Sequence, residues 1–464
     1  MPLALRPYQE RDVTRLRDTY ARGRRRVLYQ LPTAGGKTVV FAHVLDGATR
    51  KARRSAVLVH RRELAGQASD KLALAGVPHG IVAAGLDCDH DASVLVLSVQ
   101  TAVRRLDRLP RFDFVVIDEA HYARAATWAD LLAAWPEAKL LGGTATPART
   151  DGKGLGIEGG GIFDTLVTGA SVTELQAGGY LARTRCFVPA RLIDTSGLRT
   201  RLGDYEPGAL ADRAAAVTGD AVAEYRRHAD HVPAIAYGCT VAHADAIAAA
   251  FSAAGYRAAC VHGGLAMAER DALIAGLGTG AIEVLASCDL ISEGLDVPNV
   301  GAVILLRPTQ SLVLALQQIG RGMRPAPGKS HLVVLDHAGN VLHHGLPETE
   351  RVWTLDGAPK RETTGEAPGW RCDACGCVNS LADSECAECG AVRPSPRRRA
   401  PDEIPGRLRE IGADHFARIA RMPYRTFIGT PRTERELRAY AQAHGYKRGW
   451  VWHRLREQSG SDAS

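Results

Sequence analysis

No apolar run in the 464 residues approaches the roughly 20 needed to cross a bilayer as a helix. Membrane insertion by a spanning helix is therefore not expected. The opening residues, Met1-Pro-Leu-Ala-Leu-Arg6, lack the basic-then-apolar order of a secretory leader. A cytoplasmic location is the expectation. There is also little sign of a disulfide framework. Five of the ten cysteines (Cys88, Cys186, Cys239, Cys260, Cys288) are scattered through mostly apolar settings and read as reduced core residues. Acidic excess is absent too: from Ala391 to Ser464 there are 16 Lys+Arg against 8 Asp+Glu, while the other 390 residues carry 42 against 43. A neutral body with a basic tail points to a polyanion-binding appendage.

What is present begins with Val27-Leu-Tyr-Gln-Leu31, a strand pattern followed by Pro32-Thr33-Ala34-Gly35-Gly36-Lys37-Thr38 and an apolar helix through Leu45. Strand, glycine turn, Lys-Thr and helix form the context of a phosphate-binding loop. The glycines let backbone N–H groups close around phosphate, Lys37 offsets charge and the Thr38 hydroxyl can ligate magnesium. Leucine stands at position 31, where the general pattern asks for glycine. A second apolar strand, Phe114-Val-Val-Ile117, ends abruptly in Asp118-Glu119-Ala-His121. Two adjacent carboxylates repel, so burying both requires a cation or a hydrogen-bonded partner. A magnesium ion held by one, with the other as base on water, answers that need. A plain helix start would also accept acids.

Further strands are expected at Ala56–Val59, Val94–Leu97 and Lys139–Gly143, the last running into Thr144-Ala-Thr146-Pro147. Polar groups follow the first two: His60-Arg61-Arg62 and Ser98-Val-Gln100-Thr101. Glycine-rich residues 148–165 read as a loop or hinge. A second alternating series then offers strands near residues 234–237, 258–262, 284–287, 303–306 and 332–335. The alternation predicts doubly wound parallel sheets. The second series has no phosphate loop of its own, but carries Gly294-Leu-Asp296 and Gln317-Gln-Ile-Gly320-Arg321-Gly-Met-Arg324. Arginines three apart suit phosphate recognition from across a cleft, although such a pair is often only a surface ion-pair face.

In this order, Tyr8-Gln9, Gly36-Lys37-Thr38, His60–Leu64, Asp118–His121, Thr144–Pro147, Gly294–Asp296 and Gln317–Arg324 resemble the motifs of superfamily 2 helicases and translocases, covering about residues 5–340. Leu5-Arg-Pro-Tyr-Gln9, Leu306-Arg-Pro-Thr309 and Leu335-Asp-His-Ala-Gly-Asn340 are most similar to RadD-like bacterial and phage DNA-repair helicases. UvsW-type branch-processing enzymes are a more distant likeness. The resemblance implies two tandem RecA-like domains, ATP and magnesium. It implies that Gln9 reads adenine, that Thr33 to Thr38 hold the phosphates, and that Thr38 and Asp118 hold magnesium. Glu119 would activate water, Arg321 and Arg324 would bind the γ-phosphate, and Gly294 and Asp296 would lie near the ribose. His121, Thr144, Thr146 and Gln317 would couple ATP to domain closure. Arg61, Arg62, Gln100, Thr101, Thr240, His262 and Gly263 would contact the nucleic-acid backbone. Thr144 stands where serine is usual, and Ala34-Gly35 where Gly-Ser or Gly-Ala is commoner.

Cys372-x2-Cys375 and Cys386-x2-Cys389 are two knuckles ten residues apart, a four-thiolate zinc spacing, with Cys377 left over. With Trp370 and Asn379 the module is similar to zinc fingers of the Ran-binding type, or equally to a small zinc ribbon. Single-stranded nucleic acid and protein are both open as its partners, as is a purely structural role. Beyond it, Thr433-Glu-Arg-Glu436 has capping-box spacing, with a helix to about His444 and a stop at Gly445. Tyr446-Lys-Arg-Gly-Trp450-Val-Trp452-His-Arg454-Leu-Arg456 interleaves rings with cations. Such a pattern can bind nucleic acid or build a small core, with one tryptophan buried.

The expected organisation is a first domain over 1–172, a second over 173–345, a linker over 346–369, a zinc module over 370–391, a linker over 392–405 and a basic helical tail over 406–464. The expected activity is ATP-driven movement on nucleic acid, DNA (branched DNA included) favoured over RNA, in repair, recombination or replication. An RNA engine, or a recruitment factor whose ATPase does not separate strands, remain the alternatives. No acid-lysine nuclease motif is evident.

Overall fold

The structure, a computed structural model, describes residues 4–60, 62–86, 89–123, 125–148, 154–189, 195, 197–201, 204–214, 218–288, 299–356, 369–371, 378–380, 384–385, 390–392, 408–411 and 414–460. Strands β1 (Arg26–Gln30), β2 (Ser55–Val59), β3 (Gly80–Val82), β4 (Val94–Ser98), β5 (Phe114–Ile117), β6 (Lys139–Thr144) and β7 (Thr165–Thr168) form one sheet. Its order is β3-β4-β2-β5-β6-β1-β7 and every pairing is parallel. A second seven-stranded sheet holds β8 (Arg183–Pro189), β9 (Ala234–Tyr237), β10 (Ala258–Val261), β11 (Val284–Ser287), β12 (Ala302–Leu305), β13 (His331–Asp336) and β14 (Leu408–Ile411). Its order is β10-β11-β9-β12-β13-β8-β14, with the outer β14 antiparallel.

These strands are near-continuous apolar runs because both faces of each sheet are covered. Alternate side chains divide between two cores in the first domain. Val57, Val59, Val94, Val96 and Val116 face one way, and Leu58, Leu95, Leu97, Val115 and Ile117 the other. Each fully buried side chain of this kind contributes roughly 1.5–3 kcal/mol. The crossovers needed to keep strands parallel put all the functional loops at the carboxyl ends.

Several elements differ from expectation. β3 is only three residues long and β7 follows the glycine-rich segment directly, so neither carries a clear alternating run. β8 opens with the polar run Arg183-Thr184-Arg185 before Cys186-Phe187-Val188, and was likewise not expected. β14 lies where a wholly helical tail was expected, and pairs with β8. The glycine-rich residues 154–163 form a packed loop: Leu155, Ile162 and Phe163 are buried, and a Cβ on Gly142 would meet the Phe163 ring at 2.3 Å. Within the expected linker, residues 346–356 form a strap between the domains. Arg351 donates to the carbonyls of His344, Leu346, Pro347 and Thr349, and Leu355 O accepts from Gly156 N at 3.0 Å.

Four helices, His415–Arg421, Tyr424–Ile428, Glu434–Ala443 and Arg448–Gly460, enclose a small core of Ile419, Phe427, Leu437, Tyr440 and Val451. Thr433 Oγ1 accepts from Glu436 N at 3.3 Å, while Glu436 Oε2 accepts from Thr433 N at 2.9 Å, completing the capping box. Gly445, at φ +69°, follows that helix in the left-handed conformation. Trp450 packs on the core and Trp452 is 56% exposed. Gly369–Arg371 pairs antiparallel with Val378–Ser380, placing Trp370 opposite Asn379. Cys372, Cys375, Cys377, Cys386 and Cys389 lie outside the described residues. Among the described residues no cluster of His, Cys, Asp and Glu suits a metal. Cys186, Cys239 and Cys288 are buried and Cys260 is partly buried, while Cys88 is outside the described residues. No described helix is long and apolar enough to cross a membrane.

Candidate functional site

β1 delivers the chain into a turn that only small residues can make. Ala34 (φ +64°) and Gly36 (φ +84°) are both left-handed. A Cβ on Gly36 would stand 2.7 Å from Gln9 Nε2, and one on Gly35 would stand 2.9 Å from Leu31 Cγ and Pro32 O. Holding Ala34 there costs about 1–2 kcal/mol, tolerable because the turn is braced from outside. Tyr8 Oη donates to Gly35 O at 2.7 Å, and Gln9 Nε2 donates to Gly36 O at 3.3 Å. Arg6 N donates to Gln9 Oε1 at 2.9 Å, so both ends of the buried amide are engaged. The helix Lys37–Thr49 starts immediately after Gly36, aiming its first N–H groups at the turn.

β5 runs directly into Asp118, whose Oδ1 accepts from Glu119 N at 3.0 Å. Glu119 is left-handed at φ +48°, an uncommon conformation for glutamate that is held by its surroundings. Its Oε2 is buried, accepts no hydrogen bond, and lies 3.5 Å from His121 Nδ1. Burial alone would raise the Glu119 carboxyl, but Lys37, His121, Arg321 and His60 together hold it below the ordinary glutamate range. Burial and then the neighbouring Glu119 push Asp118 upward, against Lys37 and Lys71.

The second domain completes this site. Helix Leu312–Gly322 brings Gly320 so close to the phosphate loop that a Cβ there would meet Thr33 Cβ at 2.5 Å. Arg321 and Arg324 join Thr33, Ala34, Gly36, Lys37, Thr38, Asp118 and Glu119 around one cavity of about 290 Å³. Lys71, from helix Arg62–Leu74, also lines it. Burial lowers the Lys71 ammonium and the Arg324 guanidinium from their ordinary values, Lys71 being partly restored by Asp118. Four cationic side chains face two carboxylates, so the cavity suits a polyanion. The Thr38 hydroxyl and Asp118 carboxylate are the oxygen donors a hard divalent cation takes, and the unsatisfied Glu119 oxygen fits a role toward water.

From this cavity a buried chain leads between domains. His121 Nδ1 lies 3.0 Å from Thr144 Oγ1, which donates to Thr146 O at 2.9 Å and accepts from Thr146 N at 3.1 Å. His121 Nε2 lies 3.3 Å from Gln317 Nε2.

The residues expected at nucleic acid are placed less tellingly. Gln100, Thr240, His262 and Gly263 sit at or just beyond the carboxyl ends of β4, β9 and β10. Gln100 is exposed and donates to His60 O at 2.8 Å, and Thr101 is buried. Thr240 caps helix Val241–Ala253, accepting from His243 N at 3.1 Å, and His262 Nδ1 accepts from Gly264 N at 3.2 Å. Gly294, Asp296 and Arg61 lie outside the described residues, as does the side chain of Arg62.

Sequence reasoning missed Lys71 and Tyr180. Lys71 has no motif: it is an ordinary helix residue that reaches the cavity only because helix and sheet bring it there. Tyr180, in the inter-domain connection, lies 5.0 Å from the Tyr8 ring, with the Arg6 guanidinium 4.8 Å above its centroid.

Comparison with known proteins matches residues 2–149 to the Type III restriction enzyme res subunit family and residues 221–326 to the helicase conserved C-terminal domain. A 51.5 kDa protein of a Lactococcus phage is 34% identical over 368 residues, covering 78% of this chain and 77% of the phage protein. A Saccharomyces cerevisiae protein named as an ATP-dependent helicase, IRC3, is 29% identical over 362 residues, and the match spans 72% of this chain but only 51% of the yeast protein. Among solved structures, a fragment of a type I restriction enzyme HsdR subunit from Vibrio vulnificus aligns with TM-score 0.58 at 19% identity, covering 74% of this chain and 67% of that fragment. The Type ISP restriction-modification enzyme LlaBIII, bound to DNA, aligns with TM-score 0.53 at 17% identity, covering 72% of this chain and 28% of that enzyme. At these identities the two structures share the fold.

Proposed function

This chain belongs to the superfamily 2 helicases, ATP-hydrolysing enzymes that act on nucleic acid, and from that membership we propose that it is a DNA translocase or helicase, working on branched DNA in repair or recombination as RadD-like and UvsW-like enzymes do. The observation that supports this most is a single cavity lined by Lys37, Thr38, Asp118 and Glu119 of one domain and by Arg321 and Arg324 of the other.

Each residue's proposed role follows from its position. Gln9, pinned against Gly36, reads the adenine edge. Backbone N–H groups of residues 33–38, with Lys37, receive the phosphates. Thr38 and Asp118 would hold magnesium, which when bound offsets phosphate charge. Glu119, with one oxygen unbonded, takes the proton of the attacking water. Arg321 and Arg324 meet the charge that develops on the transferred phosphoryl group, an effect of roughly 10³–10⁵ in rate for such arginines. Gly294 and Asp296 remain assigned to the ribose by resemblance. Because the arginines come from the other domain, hydrolysis requires a closed cleft, and a strand held across both domains at Gln100, Thr101, Thr240, His262 and Gly263 favours closure. Arg61 and Arg62 belong to the same proposed track.

We also propose zinc at Cys372, Cys375, Cys386 and Cys389. Four thiolates are a closed structural donor set. The hairpin of Gly369–Arg371 and Val378–Ser380 brackets the first pair in sequence. Metal analysis of the purified chain should return one zinc, lost on replacing any of the four, and no zinc would reject the module. ATPase assays with single-stranded, duplex and forked DNA and with RNA, beside strand-displacement assays, test the main reading. Stimulation by RNA alone would favour an RNA engine. Polymer-independent hydrolysis without unwinding would favour a recruitment factor.

A further inference from the structure

The C-terminal helical module carries a surface that the nucleotide cleft does not use. Residues 414–460 hold ten Lys+Arg and four Asp+Glu. All four acids are engaged within the module. Asp414 lies 3.7 Å from Arg418, Glu434 lies 2.5 Å from Arg438, Glu457 pairs with Arg454, and Glu436 is buried 2.9 Å from His415. Arg435 is turned to Leu342 O, at 2.9 Å. Arg421, Arg425 and Lys447 are exposed, and among the described residues no carboxylate lies within ion-pair distance of them.

Next to two of these cations in sequence stand rings of a stacked cluster: Lys447 follows Tyr446 and Arg425 follows Tyr424. Phe427 and Tyr440, both buried, stack at 3.8 Å and 9°. Tyr440 lies 6.1 Å from Trp450 at 24°, and Trp450 stacks on Tyr446 at 4.7 Å and 8°. Tyr440 also stacks on His444 at 4.2 Å, and Trp450 lies nearly as close to Phe427 (6.4 Å) as to Tyr440. The rings thus form two adjacent columns, one of Phe427, Tyr440 and His444 rooted in the core and one of Trp450 and Tyr446 beside it. The second ends at Tyr446, which is 40% exposed. Tyr424 flanks it at 6.4 Å, with the Arg454 guanidinium 5.7 Å from the Tyr424 centroid and 5.9 Å from that of Trp450. His444 Nε2, 2.9 Å from Ala420 O, draws the end of the first helix, and with it Arg421, toward the same place.

We propose that this face is a second nucleic-acid site, which takes a single strand by adding an unpaired base to the column at Tyr446 and laying phosphates on Arg421, Arg425 and Lys447. A duplex hides its base faces, so the ring face selects unpaired nucleotides. Every base has such a face, so the site is sequence-tolerant. It lies outside the cleft, so it holds its strand in every nucleotide state. An engine with this site keeps hold of displaced or neighbouring strand while its two domains open and close. The site goes beyond the helicase reading and stands or falls separately from it.

The test uses the full chain without nucleotide, with fluorescence anisotropy on labelled oligothymidylate, oligouridylate and duplex of about twelve residues, within the site sizes known for stacking grooves. Tyr446→Ala should weaken single-strand binding about tenfold, or about 1.4 kcal/mol. Tyr446→Phe should restore it, since the ring rather than the hydroxyl does the work. Replacing Arg425 and Lys447 together with glutamine should flatten the salt dependence by about 1.4 in logarithmic slope, at about 0.7 per phosphate contact. Loss on oligothymidylate, oligouridylate or both supports the site and tells which polymer it takes. Unchanged binding by Tyr446→Ala, an equal loss for Tyr446→Phe, or an equal loss on duplex overturns it.

Discussion

His121 Nε2 and Gln317 Nε2 lie 3.3 Å apart across 196 residues of sequence, joining the acidic strand end of the first domain to the arginine-bearing helix of the second. The directions of the surrounding hydrogen bonds fix the imidazole proton. The Thr144 hydroxyl donates to Thr146 O, so it must accept at its 3.0 Å contact with His121 Nδ1. Nδ1 therefore carries hydrogen, and Nε2 is left to accept from the Gln317 amide. The same Nδ1 lies 3.5 Å from Glu119 Oε2. One ring thus touches the candidate base on one side and the other domain on the opposite side.

Gln317→Ala removes the donor from domain 2 without touching the phosphate loop. ATP affinity of the isolated enzyme should be nearly unchanged. The stimulation of hydrolysis by nucleic acid should fall by roughly 5–150-fold, the range of a coupling free energy of 1–3 kcal/mol. Steady-state ATPase with and without DNA measures it. Equal loss in both conditions would mean that Gln317 supports the fold or the chemistry rather than the coupling.

Glu119→Gln keeps shape and hydrogen bonding but removes the base. Nucleotide binding should survive while turnover drops roughly 10²–10⁴-fold, the usual contribution of general base catalysis. The pH profile carries a further sign. A base must be deprotonated, and Lys37, His121, Arg321 and His60 hold Glu119 below the ordinary glutamate range despite its burial. Its acid limb should therefore lie below that range, leaving turnover level as the pH falls toward 5. A limb near neutrality would assign the proton acceptor elsewhere.

The phosphate loop, the acid pair and the arginine pair were legible because each is a short contiguous pattern whose chemistry dictates residue type. Their meeting in one cavity was legible only through the resemblance. Lys71 was not legible at all, since a lone lysine on a helix says nothing about which strand end it overhangs. β14 failed for a related reason. Leu408–Ile411 is an edge strand of four residues, and its partner β8 lies more than 200 residues upstream in sequence. Its conformation is set by that partner, and local propensity carries no trace of it. The capping box at Thr433 succeeded because a cap is local. On the proposed nucleic-acid track, Thr240 and His262 make hydrogen bonds within their own loops, so their hydroxyl and ring positions alone point to no ligand.

Asp336, at the end of β13, is fully buried. Burial raises its carboxyl to about 6, although backbone N–H groups of Val341 and its neighbours oppose the shift. A carboxyl with a folded value above its unfolded value binds its proton more tightly when folded. Stability is therefore present in full at acid pH and is lost as the pH rises from about 4 through about 6. Asp336→Asn should remove this slope while keeping the acceptor for Val341 N, which lies 2.7 Å from Oδ2. Thermal unfolding of both proteins between pH 4.5 and 8 tests it. Identical slopes would show that the charge is otherwise compensated.

Gly320 offers the sharpest test of the closed cleft, because its reason for being glycine lies in the opposite domain. A Cβ there would stand 2.5 Å from Thr33 Cβ and 2.8 Å from Thr33 Cγ2. Real side chains do not approach so closely, so Gly320→Ala must push the two domains apart by some tenths of an ångström or more. Helix propensity favours alanine over glycine by about 1 kcal/mol, so the second domain itself should not be weakened. Arg321, the next residue, would move away from the phosphate loop with it. Displacements near 1 Å at a positioned group cost about 10²-fold in rate. ATP turnover should fall by about that order while thermal stability stays level or rises. Thr33→Gly in the same chain removes the opposing atoms and should recover much of the lost rate. If Gly320→Ala lowers turnover and Thr33→Gly does not relieve it, the contact between loop and helix is not what limits closure.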